Sequence, residues 1–145
     1  MEFAFVLVAA IVAAGFFLGA LLAKIAAEEM KAGNPYFMVL RNFMVVMVVI
    51  LFLHSLGFSA WLNTVIALAV FLILSALRNF PDAIISILLG LMLASSAQVH
   101  VLMASAMLLY SFAVGSLCGA QKRILTLIAI SLAFFISALV GYVLF

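Results

Sequence analysis

The sequence predicts an all-α integral membrane protein: a bundle of six transmembrane helices joined by short loops. Of its 145 residues, 72% are hydrophobic and only 7% are charged, whereas soluble domains carry roughly 25% charged residues. A small soluble fold exposes much of its surface and has no room to hide so much apolar area. Lipid is therefore expected to be the solvent over most of the chain, which forms a single transmembrane domain.

The spacing of the charged residues predicts the number of spans. Residues 3–23 and 124–145 are uncharged, and each segment has the length of one span, because about 20 helical residues cross a bilayer core of about 30 Å. Residues 42–77 and 83–121 are also uncharged, and each is long enough for two spans. The predicted spans 1 to 6 are 3–23, 36–56, 60–77, 83–97, 101–119 and 124–145.

Residues that interrupt membrane helices set the limits of these spans. The helix of span 1 is expected to extend past the membrane until Gly33-Asn34-Pro35 stops it. Gly57, with serines on either side, separates spans 2 and 3, and Pro81 precedes span 4. Only the weakly polar segment 95–100 marks the turn between spans 4 and 5. A single helix over 83–119 would nevertheless be about 55 Å long, too long for one crossing.

All the cations fall on one side of this arrangement. They are Lys24, Lys31 and Arg41 around loop 1, Arg78 in loop 3, and Lys122 and Arg123 in loop 5. By the positive-inside rule, loops 1, 3 and 5 are cytoplasmic and both termini are external. The membrane is expected to be the plasma membrane. Cations at span ends orient the protein and form no basic patch for a nucleic acid.

Small residues repeat every four positions on three of the spans. The stripes are Gly15, Gly19 and Ala23 on span 1, Ser86, Gly90 and Ala94 on span 4, and Ser111, Gly115 and Gly119 on span 5. Such stripes let helix backbones approach closely, which matters because apolar burial gives little drive for association in lipid. The glycines are therefore predicted to be helix-packing residues. Packing within the bundle is favoured over an interface of span 1 with a second copy or a partner.

Polar residues also gather near the external ends of spans 2 to 5. They are His54, Asn63, Gln98 and His100, with Trp61 at the same level. Two interpretations are open. The first is a shared site, in which the histidines ligate a haem iron or a metal, or carry protons; the second is an ordinary boundary layer next to water. Haem is disfavoured because no external Arg or Lys is present for its propionates. No cofactor and no metal site is therefore predicted.

The middle of each predicted span contains no formal charge, although ion-coupled carriers usually hold one in the bundle. No Ser-His-Asp set, HExxH motif or phosphate-binding loop is present either, so no catalytic residue is predicted and the chain is not expected to be an enzyme. The outer polar layer is left as the place to expect a site. Tyr110, deep in span 5, should face a neighbouring helix that provides a partner for its hydroxyl. Cys118 is interpreted as a packing residue, with palmitoylation as the alternative.

Three functions follow from these patterns. The first is a non-catalytic membrane subunit or scaffold that self-associates or joins a larger membrane complex. The second is a small oligomeric transporter or channel for a neutral or weakly polar solute. The third is a haem- or quinone-binding redox protein that uses His54 and His100. The expected partners are the lipid bilayer and either a second copy or another membrane protein, but no nucleic acid.

Overall fold

A computed structural model of the protein describes residues 3–76, 81–95, 101–121 and 123–144. These residues form six helices. The helices are α1 (Phe3–Ile25), α2 (Ala27–Ser55), α3 (Ala60–Ala76), α4 (Asp82–Ser95), α5 (Val101–Ala120) and α6 (Ile124–Leu144). The predicted all-α class is therefore confirmed for the described part of the chain.

Four of the helices are long and apolar enough to cross a membrane. They are α1, the part of α2 over Ala32–Ser55, α5 and α6, with mean hydropathy between 1.9 and 2.7. The apolar helices α3 and α4 are shorter, with 17 and 14 residues, which corresponds to about 26 and 21 Å. The composition and these four helices are those of a membrane-embedded protein.

The boundary between the first two helices differs from the predicted one. The first helix does not continue to Gly33-Asn34-Pro35, because α1 ends at Ile25 and the polar segment that follows belongs to α2. The break lies at Ala26, whose φ of −107° and ψ of 45° are not helical. Pro35 lies inside α2. A proline removes one backbone donor without requiring the helix to end there, so α2 passes through it.

The helices form two groups that pack closely within themselves. In the first group α5 lies between α1 and α2, and α3 packs against α2; in the second group α4 packs along α6. Glycines permit the close approach: a Cβ added to Gly90 would lie 2.7 Å from the carbonyl oxygen of Phe134. We refer to these as the α1–α2–α3–α5 group and the α4–α6 group.

Aromatic side chains join the two groups along α1 and α6. Phe5, near the start of α1, stacks on Tyr142, near the end of α6, with ring centroids 4.5 Å apart. Halfway along the same helices, the rings of Phe16 and Phe134 lie 6.3 Å apart. The groups are thus in contact from the end of the bundle where α1 begins to its middle.

Candidate functional site

A cleft of about 540 Å³ lies between the two helix groups at the charged end of the bundle. Small-molecule sites typically have volumes of this order. One wall belongs to α2, α5 and the residue after α5: Met38, Arg41, Leu117, Cys118 and Gln121. The other wall belongs to α4, α6 and the residues that precede them: Pro81, Asp82, Ala83, Arg123, Thr126 and Ile130. The cleft is therefore bounded by both groups.

A partly buried ion pair connects the two walls. Nη1 of Arg41 donates to Oδ1 of Asp82 across 3.0 Å, and the two side chains are only 7% and 21% exposed. Oδ1 of Asn42 accepts hydrogen bonds from Nε and Nη2 of Arg41 at 3.0 and 2.9 Å. A charge removed from water is costly unless it is paired and hydrogen-bonded. Asp82 and Asn42 provide the pairing and the hydrogen bonds, and together they hold the guanidinium in one orientation.

Tyr110 extends the polar contacts from the cleft toward the middle of the bundle. Its buried hydroxyl donates to the backbone oxygen of Asp82 at 3.4 Å and lies 3.3 Å from the hydroxyl of Ser86. The Tyr110 hydroxyl on α5 thus finds its hydrogen-bond partners on α4. This confirms the expectation that Tyr110 faces a neighbouring helix. These contacts are a second polar connection between the two helix groups.

Sequence reasoning missed this site because it counted Arg41 among the cations at span ends. Arg41 lies five residues inside the predicted span 36–56, about 7.5 Å along the helix. An ionisable residue inside a membrane helix is by default a functional candidate, so its position was the available signal. The cleft is thus a candidate site in addition to the outer polar layer, which stays a prediction.

The structure describes only part of that outer polar layer. His54 is exposed in the last turn of α2. Asn63 on α3 is buried and donates to the backbone oxygen of Phe58 at 3.4 Å, while its Oδ1 has no partner among the described residues. Gln98 and His100 lie outside the described residues, so the idea of a shared histidine site is untested. Within the described ranges, no group of three or more His, Cys, Asp or Glu residues is arranged to hold a metal ion.

The structure places the predicted packing glycines between helices of the same chain. Gly15 and Gly19 face α5, Gly115 and Gly119 face α1, and Gly90 faces α6. The hydroxyl of Ser116 on α5 also donates to the backbone oxygen of Gly19 at 3.2 Å. The glycine stripe of α1 is thus covered within the chain, and it offers no free surface to a second copy.

No protein-family model, curated protein or solved structure matches this chain. Its function must therefore be argued from the cleft and from the two helix groups that form it.

Proposed function

We propose that the protein is a six-span membrane protein that carries a small polar solute through the cleft between its two helix groups. The observation that carries this proposal is the position of the cleft. It lies between two internally packed groups and is lined at the charged end by Arg41 and Asp82. At the opposite end the contact of Phe5 with Tyr142 joins the groups. This arrangement favours the second of the three functions predicted from the sequence.

The ion pair supports six spans over four. Asp82 at the start of α4 binds Arg41 in the first half of Ala32–Ser55, the apolar part of α2. The chain that leaves the far end of α2 therefore returns to the charged end through α3. Helices of about 26 and 21 Å are short for a crossing, but a bilayer thins around short spans at modest cost. With Lys24, Arg41 and Arg123 at one end, the positive-inside rule assigns that end to the cytoplasm and both termini to the outside.

Two helix groups, each closely packed within itself and with a cleft between them, suit alternating access. One group can rock against the other while each keeps its own contacts. The contacts that must change include the Arg41–Asp82 ion pair at the charged end and the Phe5–Tyr142 stacking at the other end. Opening at one end and closure at the other would carry a solute bound between the groups from one face of the membrane to the other.

Thiol accessibility of one cleft residue tests this proposal. Ile130 lines the cleft, about 9 Å from the start of α6, and it is replaced by cysteine in a Cys118→Ala background. We expect Ile130→Cys to react with a membrane-impermeant thiol reagent from the cytoplasmic face and also from the external face, in inside-out and right-side-out vesicles. Reaction from both faces is expected because the cleft opens alternately to each side.

The control for this experiment is Leu132→Cys on the same helix. Leu132 is 53% exposed on the outside of the bundle, where lipid excludes a polar reagent, so it should react from neither face. Reaction of Ile130→Cys from the cytoplasmic face alone would contradict transport and leave a one-sided binding cleft. Ile130 is only 2% exposed in this structure, so absence of reaction from both faces would contradict a cleft that opens to water as far as Ile130.

A membrane subunit is the second candidate, and the packing of α3 supports it. This helix packs against α2 and buries only Asn63, Ala67 and Leu74 of its own residues. The rest of its apolar surface is available to another membrane protein or to lipid. A one-sided cleft in the accessibility experiment would favour this candidate over the transporter.

A further inference from the structure

The guanidinium of Arg41 retains hydrogen-bonding capacity inside the cleft. A guanidinium carries five N–H groups. Three of them donate to Asn42 and Asp82, which leaves one on Nη1 and one on Nη2 without a partner among the described residues. Arg41 is only 6% exposed and lines the cleft. Its two remaining N–H groups are therefore able to donate to an acceptor bound in the cleft.

The charges that line the cleft favour an anionic acceptor. The charged residues of the described lining are Arg41, Arg123 and Asp82, so this lining carries one net positive charge. Gln121 and Thr126 add neutral hydrogen-bonding groups. Arginine binds carboxylate and phosphate oxygens through paired, charge-assisted hydrogen bonds. Such bonds are strongest at Arg41, whose side chain is buried.

We infer that the cleft binds a small oxyanion, a carboxylate or a phosphate group, between Arg41 and Arg123. The inference rests on the proposed function and deepens it, because it replaces the neutral solute expected from the sequence by an acidic one. Asn42 and Asp82 act as positioning residues that hold Arg41 ready for the ligand. The neutral parts of the solute would lie against Met38 and Ile130.

A pair of matched probes tests the charge requirement. Binding of propionate and of its uncharged analogue propionamide to the full chain in detergent is measured by isothermal titration calorimetry. We expect propionate to bind and propionamide to show no binding, because the two differ mainly in charge. Inorganic phosphate should compete with propionate. Equal binding of propionate and propionamide, or binding of neither propionate nor phosphate, would overturn the inference.

Variants locate the oxyanion. Arg123 is exposed and carries no ion pair among the described residues, so the variant Arg123→Gln should fold normally. It should lower the affinity for propionate about ten- to a hundredfold, which is the usual effect of losing a charged hydrogen bond. The control Lys24→Gln removes a cation from the same end of the bundle but outside the cleft, and should leave the affinity unchanged. An equal loss in both variants would show that only the overall charge attracts the anion, which contradicts a built site.

A lipid headgroup offers the same oxyanion chemistry as a free solute, and a second arm separates the two sources. The titration is repeated in nanodiscs with and without phosphatidylglycerol. Unchanged propionate affinity supports a free solute, and a strong loss assigns the site to a lipid phosphate. The inference fails without the proposed function if Ile130→Cys reacts from both faces while no anion binds. Both fail together if Ile130→Cys reacts from neither face and no anion binds.

Discussion

Replacement of Gly115 by alanine is expected to push α1 away from α5 and to destabilise the fold strongly. A Cβ at this position would overlap the backbone of Phe16, whose carbonyl carbon would lie 2.8 Å away and whose Cα would lie 3.0 Å away. Backbone atoms cannot rotate aside as a side chain can, so the two helices must move apart. Inserting a methyl group into a well-packed interior costs about 1–3 kcal/mol, and this clash is expected to reach at least the upper end. Thermal unfolding in mild detergent, followed by circular dichroism, measures the loss.

Gly33→Ala provides the matched control for this substitution. A Cβ there would meet only the ring of Phe37, at 3.5 Å and 3.8 Å, which is ordinary van der Waals contact. Because alanine favours a helix over glycine by about 1 kcal/mol, the control should be as stable as the parent protein or slightly more so. If Gly115→Ala unfolds at the same temperature as the control, the close packing of α1 on α5 is wrong.

The second large effect is expected from removal of the carboxylate that pairs with Arg41. Asp82→Leu leaves the guanidinium buried with Asn42 as its remaining partner. Breaking a buried ion pair by removing one partner costs about 3–5 kcal/mol. Arg41→Met should cost less, because Asp82 is 21% exposed and regains some hydration when it loses its partner. Unfolding temperatures in detergent give the order of the two variants.

The double variant Arg41→Met with Asp82→Leu shows whether the instability of Asp82→Leu comes from the unpaired charge or from lost packing. Replacement of a buried ion pair by apolar residues is often nearly neutral for stability, so the double variant should recover most of the loss seen in Asp82→Leu. It should still fail to bind propionate, because the guanidinium is gone. A double variant as unstable as Asp82→Leu alone would contradict the assignment of the effect to an unpaired buried charge.

Much of the fold could be predicted because lipid imposes a simple rule on this chain. Uncharged segments such as 124–145 had to be helical, and Gly57 and Pro81 indicated where helices end. The junction between α1 and α2 could not be predicted in this way, since it depends on a non-helical backbone at Ala26, which carries no such signal. Gly33-Asn34-Pro35 has a strong one, yet α2 continues through it.

The site was harder to predict than the fold, because it depends on which helices are neighbours. Arg41 and Asp82 are 41 positions apart in the chain, and neither shows from sequence alone that it faces the other. The packing glycines have recognisable spacing, but the spacing does not say which helix covers them. The pairing of α1 with α5 and of α4 with α6 creates both the glycine contacts and the cleft, and only the structure supplies that pairing.

We propose six spans, with the mouth of the cleft beside Pro81 on the cytoplasmic side and the depth of the cleft at Ile130 reached from either side in turn. Single cysteines at Ser59, in the turn between α2 and α3, and at Pro81, on the wall of the cleft, test this topology most directly in a Cys118→Ala background. With an impermeant thiol reagent, Ser59→Cys should be labelled in intact cells and Pro81→Cys only after the membrane is permeabilised. Labelling of Pro81→Cys in intact cells would show that the mouth of the cleft faces outward or that α3 does not cross the membrane. Either result would contradict the proposed topology.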